Sequence, residues 1–195
     1  MRTWTWVGCG LSLAVLTVGT SAFGNPLERA IVEEINFART HPAQYARLLR
    51  DEADSDQLAE NPVDADEAAD FLARQSPLPP LSADERLAAA ASEHTRRQGP
   101  GGGVGHAAEG SGEGLSQRLH RRGVWAGLSA ETISYGYAQP RAVVIQLIID
   151  SGVPGRGHRQ VLFDPSLKRA GAGCGRHSVY GEMCVIDFAG ALVAR

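Results

Sequence analysis

The stretch "RAGAGCGRHSVYGEMCVIDFAG", Arg169 to Gly190, limits what this chain can fold into more than any other. Small and apolar residues run on either side of Ser178–Gly181, which reads as a turn between two strands. Cys174 and Cys184 then fall opposite each other about that turn, where paired Cα atoms lie within the distance a disulfide needs. The alternative is two separate buried thiols. The third cysteine, Cys9, sits far away near the start of the chain.

That start differs from the rest. Arg2 precedes the apolar run "VGCGLSLAVLTVG" (Val7–Gly19), and "SAFGNP" follows with small residues suited to cleavage near Ala22 or Gly24. The run is short for a membrane span, and the pattern is that of a secretory signal over residues 1–24. No second long apolar stretch follows, so the expected mature product, residues 25–195, is a single exported domain, secreted or periplasmic, with no membrane span. An even cysteine count in an exported domain fits the disulfide.

Charge narrows the partners. The chain carries 19 basic and 22 acidic residues, and removing the leader takes away one arginine and no acid. A mildly acidic chain without a basic cluster, and with few aromatic residues, argues against nucleic acid as a partner.

Helices dominate the first half. "NPLERAIVEEINFART" has Pro26 in a first turn and Leu27, Ile31, Ile35 and Ala38 on one face. Thr40 is expected to cap a second helix that carries Tyr45, Leu48 and Leu49 inward. Asp51–Asp70 then holds nine acids in twenty residues. Counted from Asp54 as an EF-hand loop, position six is Ala59 and position twelve is Ala65, so calcium chemistry fails and a solvated acidic insertion is expected.

In "PLPPLSADERLAAAASEHTRRQG" Ser82 and Glu85 read as a capping box, with Leu87, Ala88 and Ala91 as a narrow buried stripe. "GPGGGVGHAAEGSGEG" is a glycine-rich loop that holds His106. It lacks the Gly-Lys-Ser/Thr of a phosphate loop and follows a helix rather than a strand. "LSQRLHRRG" is a short helix, "SAETISYGYA" a strand and "QPRAVVIQLII" a helix. Helices first and strands late indicate an α+β chain with an antiparallel sheet covered by helices.

His106, His158 and Glu131 come from separate elements and form a donor set that a divalent transition metal accepts, or that can move a proton. His94 reads as structural; His41, His120 and His177 read as surface or turn residues. "DSG" at Asp150–Gly152 lacks the surroundings of a serine nucleophile, and no G-x-S-x-G is present.

Taken in order, "INFAR", "LPPLSADERLAAAASEH", Gly105-His106, "LSQRLHRRG", "AETISYG", "GHRQVLFDPSLKRAGAG" and "VIDFAG" resemble the CAP (SCP) domain, in its bacterial branch, over roughly residues 27–190. This superfamily includes cysteine-rich secretory proteins, venom allergens and plant pathogenesis-related proteins. The resemblance implies an α-β-α sandwich with a central antiparallel sheet, and a cleft of two histidines and two acids. His106 matches the first histidine, Glu131 the first acid and His158 the second histidine. The family's "GEN" reads Ala130-Glu131-Thr132 here, and Asp150 stands nearest for the second acid. In some members the two histidines hold zinc or another divalent ion.

The functional expectation is a binding module rather than an enzyme. Its cleft would hold a divalent metal, and a neighbouring groove a lipid, cell-wall fragment or peptide. Two alternatives remain. One is a metal-assisted hydrolase with His106 and His158 as ligands and Glu131 as general base; the other is an envelope interaction protein acting through its surface.

Overall fold

A computed structural model describes residues 25–53, 62–107 and 112–193; the expected leader and part of the acidic stretch lie outside them. In chain order the elements are α1 (Pro26–Thr40), α2 (Pro42–Ala53), α3 (Pro62–Arg74), β1 (Ser82–Ala83), α4 (Glu85–Gln98) and α5 (Leu115–Arg121). Then follow β2 (Ser129–Tyr135), α6 (Pro140–Ile149), α7 (Gly157–Leu162), β3 (Arg169–His177) and β4 (Gly181–Ala189). Among the described residues no helix is long and apolar enough to cross a membrane.

The late strands form the sheet, in the order β1-β3-β4-β2. β2, β4 and β3 are antiparallel, while the two-residue β1 adds a parallel edge on β3. Side chains alternate across this sheet as pleating requires. Ala170, Ala172, Cys174, Cys184, Ile186 and Phe188 join the large core beneath α1 and α6. Ile133, Met183 and Val185 face α4 instead, through Ala91. The expected sandwich of helices about a central sheet is therefore present.

Two sequence features set the spacing of the layers. α6 buries Val143, Val144, Ile145, Leu147, Ile148 and Ile149, so it is apolar on nearly every side, as suits a helix packed between others. α4 rides close on β3, because glycines stand where β3 faces it. A Cβ on Gly171 would sit 2.2 Å from the Ala88 nitrogen, and one on Gly173 2.2 Å from the Ser92 nitrogen. The small residues of α4 and the glycines of β3 are two halves of one contact.

The disulfide forms as expected. Cys174 and Cys184 pair directly in the β3–β4 register with Cα atoms 4.1 Å apart.

Four local expectations are corrected. Thr40 ends α1 and donates its hydroxyl back to the Asn36 carbonyl at 2.7 Å, rather than capping α2. Ser82 lies in β1, and Asp84 caps α4 by accepting from Arg86 N–H. His177 is buried: one ring nitrogen bonds the Gly103 carbonyl at 2.9 Å and the other accepts from Val179 and Tyr180. The acidic stretch is not only a solvated insertion, because α3 buries Ala65, Ala68, Ala69 and Leu72 in the core. Its acids mark one face of an amphipathic helix, and the alanines mark the other.

Candidate functional site

His106 sits on the loop between α4 and α5, and that loop is pinned at Gly105. The Gly105 N–H donates to the Tyr135 hydroxyl at 3.0 Å. Its carbonyl accepts from His94 Nε2 and Gln98 Nε2, each at 3.0 Å. Gly105 has φ +93°, a region other residues rarely adopt. Burial, followed by the nearby Arg118 charge, lowers the His94 pKa, so His94 is a neutral donor that shapes the loop. The reading of His94 as structural agrees with this placement.

The His106 ring turns its Nδ1 to Oε1 of Glu131, the third residue of β2, at 2.9 Å. The second Glu131 oxygen is bound by Arg118, a fully buried residue of α5, whose other arm donates to the His106 carbonyl at 3.1 Å. One guanidinium thus fixes both the backbone and the carboxylate partner of His106. Beneath Glu131, and directly opposite it in the β2–β4 register, lies Asp187, fully buried in β4.

Asp187 is held well above the usual carboxylate range, by burial first and then by the Glu131 charge. Neither of its carboxyl oxygens has a hydrogen-bond partner among the described residues, and the Glu131 charge beside them favours the protonated form. Burial also works to raise the Glu131 pKa. The bond to His106, the Arg118 charge and the neighbouring Asp187 carboxyl outweigh it, and Glu131 ends below its ordinary value.

His158 is built by different parts. α6 stops at Asp150, which has left-handed backbone angles, φ 56° and ψ 42°. Its carboxylate reaches over the following loop to His158 in the first turn of α7: Oδ2 accepts from the backbone N–H at 2.8 Å and Oδ1 meets Nδ1 at 2.7 Å. The arginines flanking His158 are held by the acidic helix. Arg156 bonds Asp64, and Arg159 forms a two-armed pair with Glu67, both bonds at 2.6 Å. Arg159 also donates to the Ile148 and Ile149 carbonyls.

The structure therefore brings all four sequence candidates together. The His106 and His158 ring centroids are 6.5 Å apart, each ring backed by a carboxylate, Glu131 or Asp150. Sequence reasoning missed Arg118, Asp187, Glu67 and Arg159. Asp187 left one signal, an acid inside the apolar run "CVIDFAG".

A pocket of about 330 Å³ opens beside the histidines. Ile133, Tyr135, Tyr137, Leu147, Ile149 and Val153 supply its apolar walls.

The cysteine-rich secretory protein (CAP) family matches residues 32–188, most of the chain. This chain belongs to the CAP family. Three solved structures are similar to the CAP domain described here. An extracellular protein of Bacillus anthracis containing an SCP domain is 24% identical with a TM-score of 0.49, over 58% of this chain and 35% of that one. An outer surface protein of Borrelia burgdorferi is 20% identical with a TM-score of 0.48, over 58% and 80%. A cysteine-rich secretory protein of Staphylococcus aureus is 16% identical with a TM-score of 0.43, over 67% and 40%. This CAP chain thus spans little more than a third of the Bacillus and Staphylococcus proteins. No curated protein matches it.

The metal question is one of donor chemistry. A metal-binding histidine is normally oriented by a second hydrogen bond from its other nitrogen, and both imidazoles of this CAP cleft have one at Nδ1. Among the described residues neither Nε2 atom has a hydrogen-bond partner, so these would be the atoms to hold an ion. Among the described residues no group of three or more His, Cys, Asp or Glu is arranged to hold a metal. The set fits an open, two-histidine site and falls short of a closed structural zinc centre, which takes four protein ligands.

Proposed function

We propose that this CAP domain is an exported, non-enzymatic binding module. Its cleft takes a divalent ion on His106 and His158, and its apolar pocket takes part of a second ligand. The single observation that carries this reading is the pairing of each imidazole with its own carboxylate, which orients two metal-binding nitrogens without consuming them. The disulfide suits an oxidising compartment, in keeping with the leader read from the sequence.

Binding is favoured over hydrolysis by the state of Glu131. A general base must accept a proton from water, yet one Glu131 oxygen meets His106 and the other meets Arg118. Depressed below its ordinary pKa, it is a weak base at neutral pH. Its role in this reading is to orient His106. A bound ion would supply Lewis acidity and open positions for a ligand oxygen or nitrogen.

The test is zinc titration by calorimetry on the mature protein, beside His106→Ala and His158→Ala. Saturable binding lost in both variants is expected. No binding by the wild type at neutral pH, or binding unchanged in either variant, overturns the metal reading.

A further inference from the structure

Among the described residues strand β2 is an outer strand of the sheet, hydrogen-bonded to β4 alone. Two flanking bonds fix which of its residues face β4. Gly136 N–H donates to the Glu182 carbonyl and Gly190 N–H to the Leu128 carbonyl, both at 2.9 Å. Bonded and non-bonded pairs alternate in an antiparallel ladder, so the even-numbered residues from 128 to 136 turn their N–H and C=O toward β4. Glu131, Ile133 and Tyr135 turn theirs away from β4.

The Tyr135 carbonyl is taken there by Gln146 Nε2 at 3.3 Å. Ile133 is different: among the described residues neither its N–H nor its C=O has a protein partner, although the residue is only 6% exposed. Unpaired backbone groups are costly wherever they are shut away from water. Ile133 also lines the 330 Å³ pocket, with Leu147, Ile149 and Val153 among its walls and His106 and His158 at its polar end.

We propose that this edge takes a short extended peptide as an added strand. Ile133 N–H donates to a peptide carbonyl, and a peptide N–H donates to the Ile133 carbonyl. One large apolar side chain of the peptide fills the pocket, while its neighbours alternate outward. The volume lies at the low end for ligand pockets, roughly 300–1,000 Å³, which suits one such side chain with its backbone. A fatty acid offers no amide pair for Ile133. This inference rests on the reading of the cleft as a ligand site, and not on the metal.

The experiment uses the mature ¹⁵N-labelled protein and capped tripeptides with Leu or Phe at the centre. Their N-methylated analogues and decanoate serve as comparison probes, and zinc is titrated in parallel. The expected result is binding of an unmodified peptide, with amide exchange at Ile133 slowed at least about tenfold and binding lost on N-methylation. Val153→Trp, which narrows the pocket from a loop, is expected to weaken it. Equal binding of the N-methylated analogue, binding without protection of Ile133, or no peptide binding at about 1 mM overturns the inference. Zinc bound without any peptide overturns it alone; neither zinc nor peptide bound overturns the proposed function as well.

Discussion

Both carboxylate oxygens of Asp150 are turned on His158, one to its backbone N–H and one to its ring. Asp150 holds left-handed backbone angles, which costs a non-glycine residue about 1 kcal/mol or more. The two bonds offset that cost and set the direction of the imidazole. Asp150→Asn isolates the electrostatic part, because asparagine tolerates the same backbone but offers one acceptor where the carboxylate offers two. Zinc affinity is expected to fall about 10- to 100-fold with little change in melting temperature. Equal affinity by calorimetry would mean that Asp150 serves the loop and not the ring.

The buried Asp187–Glu131 pair makes a prediction about pH. Asp187 has a folded pKa well above the 3.8 of an ordinary aspartate. The folded state therefore binds more protons than the unfolded chain at any pH between those two values. Its contribution to stability is full below about pH 3.8 and is lost as pH rises toward the folded pKa. Glu131 acts oppositely: its lowered pKa gives stability above its ordinary value of 4.5 that is lost in acid. Asp187→Asn places a neutral side chain that does not titrate opposite Glu131. Relative to this variant, the wild type should lose melting temperature steadily as pH rises from about 4. A difference that stays flat with pH would show that Asp187 is not the protonated partner.

Much of this was readable in the sequence, for identifiable reasons. The hairpin was found because turn residues and two cysteines share one centre, and α1 because its apolar positions repeat at helical spacing. His106 and His158 were found because each stands in a glycine-containing loop and matches a cleft histidine of the family the sequence resembles. What stayed hidden depended on contacts between elements distant in sequence. Glu67 looked like one acid among nine until its helix packed Ala68 and Leu72 inward and set it against Arg159, 92 positions later. Arg118 looked like one charge in "QRLHRR", and only the fold separates it, fully buried, from Arg121 and Arg122 at the surface. Ser82 and Glu85 matched a capping pattern, yet β3 recruited Ser82 into a strand first.

The Cys174–Cys184 bond closes a loop with a sequence separation of 10. A loop of that size corresponds to about 2–3 kcal/mol of stabilisation through the unfolded chain. For a domain of this length that is about 4–12 °C in melting temperature. Reduction should lower the melting point by that order and leave the fold, since β3 and β4 pair along nine positions. Unchanged melting after verified reduction would place the stabilisation elsewhere.

Arg118 carries the last prediction, because one side chain serves two elements at once. Its fork holds the His106 carbonyl with one arm and the Glu131 carboxylate with the other. Arg118→Lys keeps the charge, but a compact ammonium lacks the planar two-armed geometry. It can remain with Glu131 and release the loop, or the reverse. A hydrogen bond to a charged donor is worth about 1.5–3 kcal/mol, so the melting temperature should fall by about 3–12 °C. Zinc affinity should fall about tenfold or more as His106 loses its fixed direction. The two readouts separate two roles. If stability falls while zinc affinity holds, Arg118 supports the sheet edge alone. If both fall, and Arg118→Met falls further in stability by leaving Glu131 without its buried counter-charge, the guanidinium is what aims His106 into the cleft.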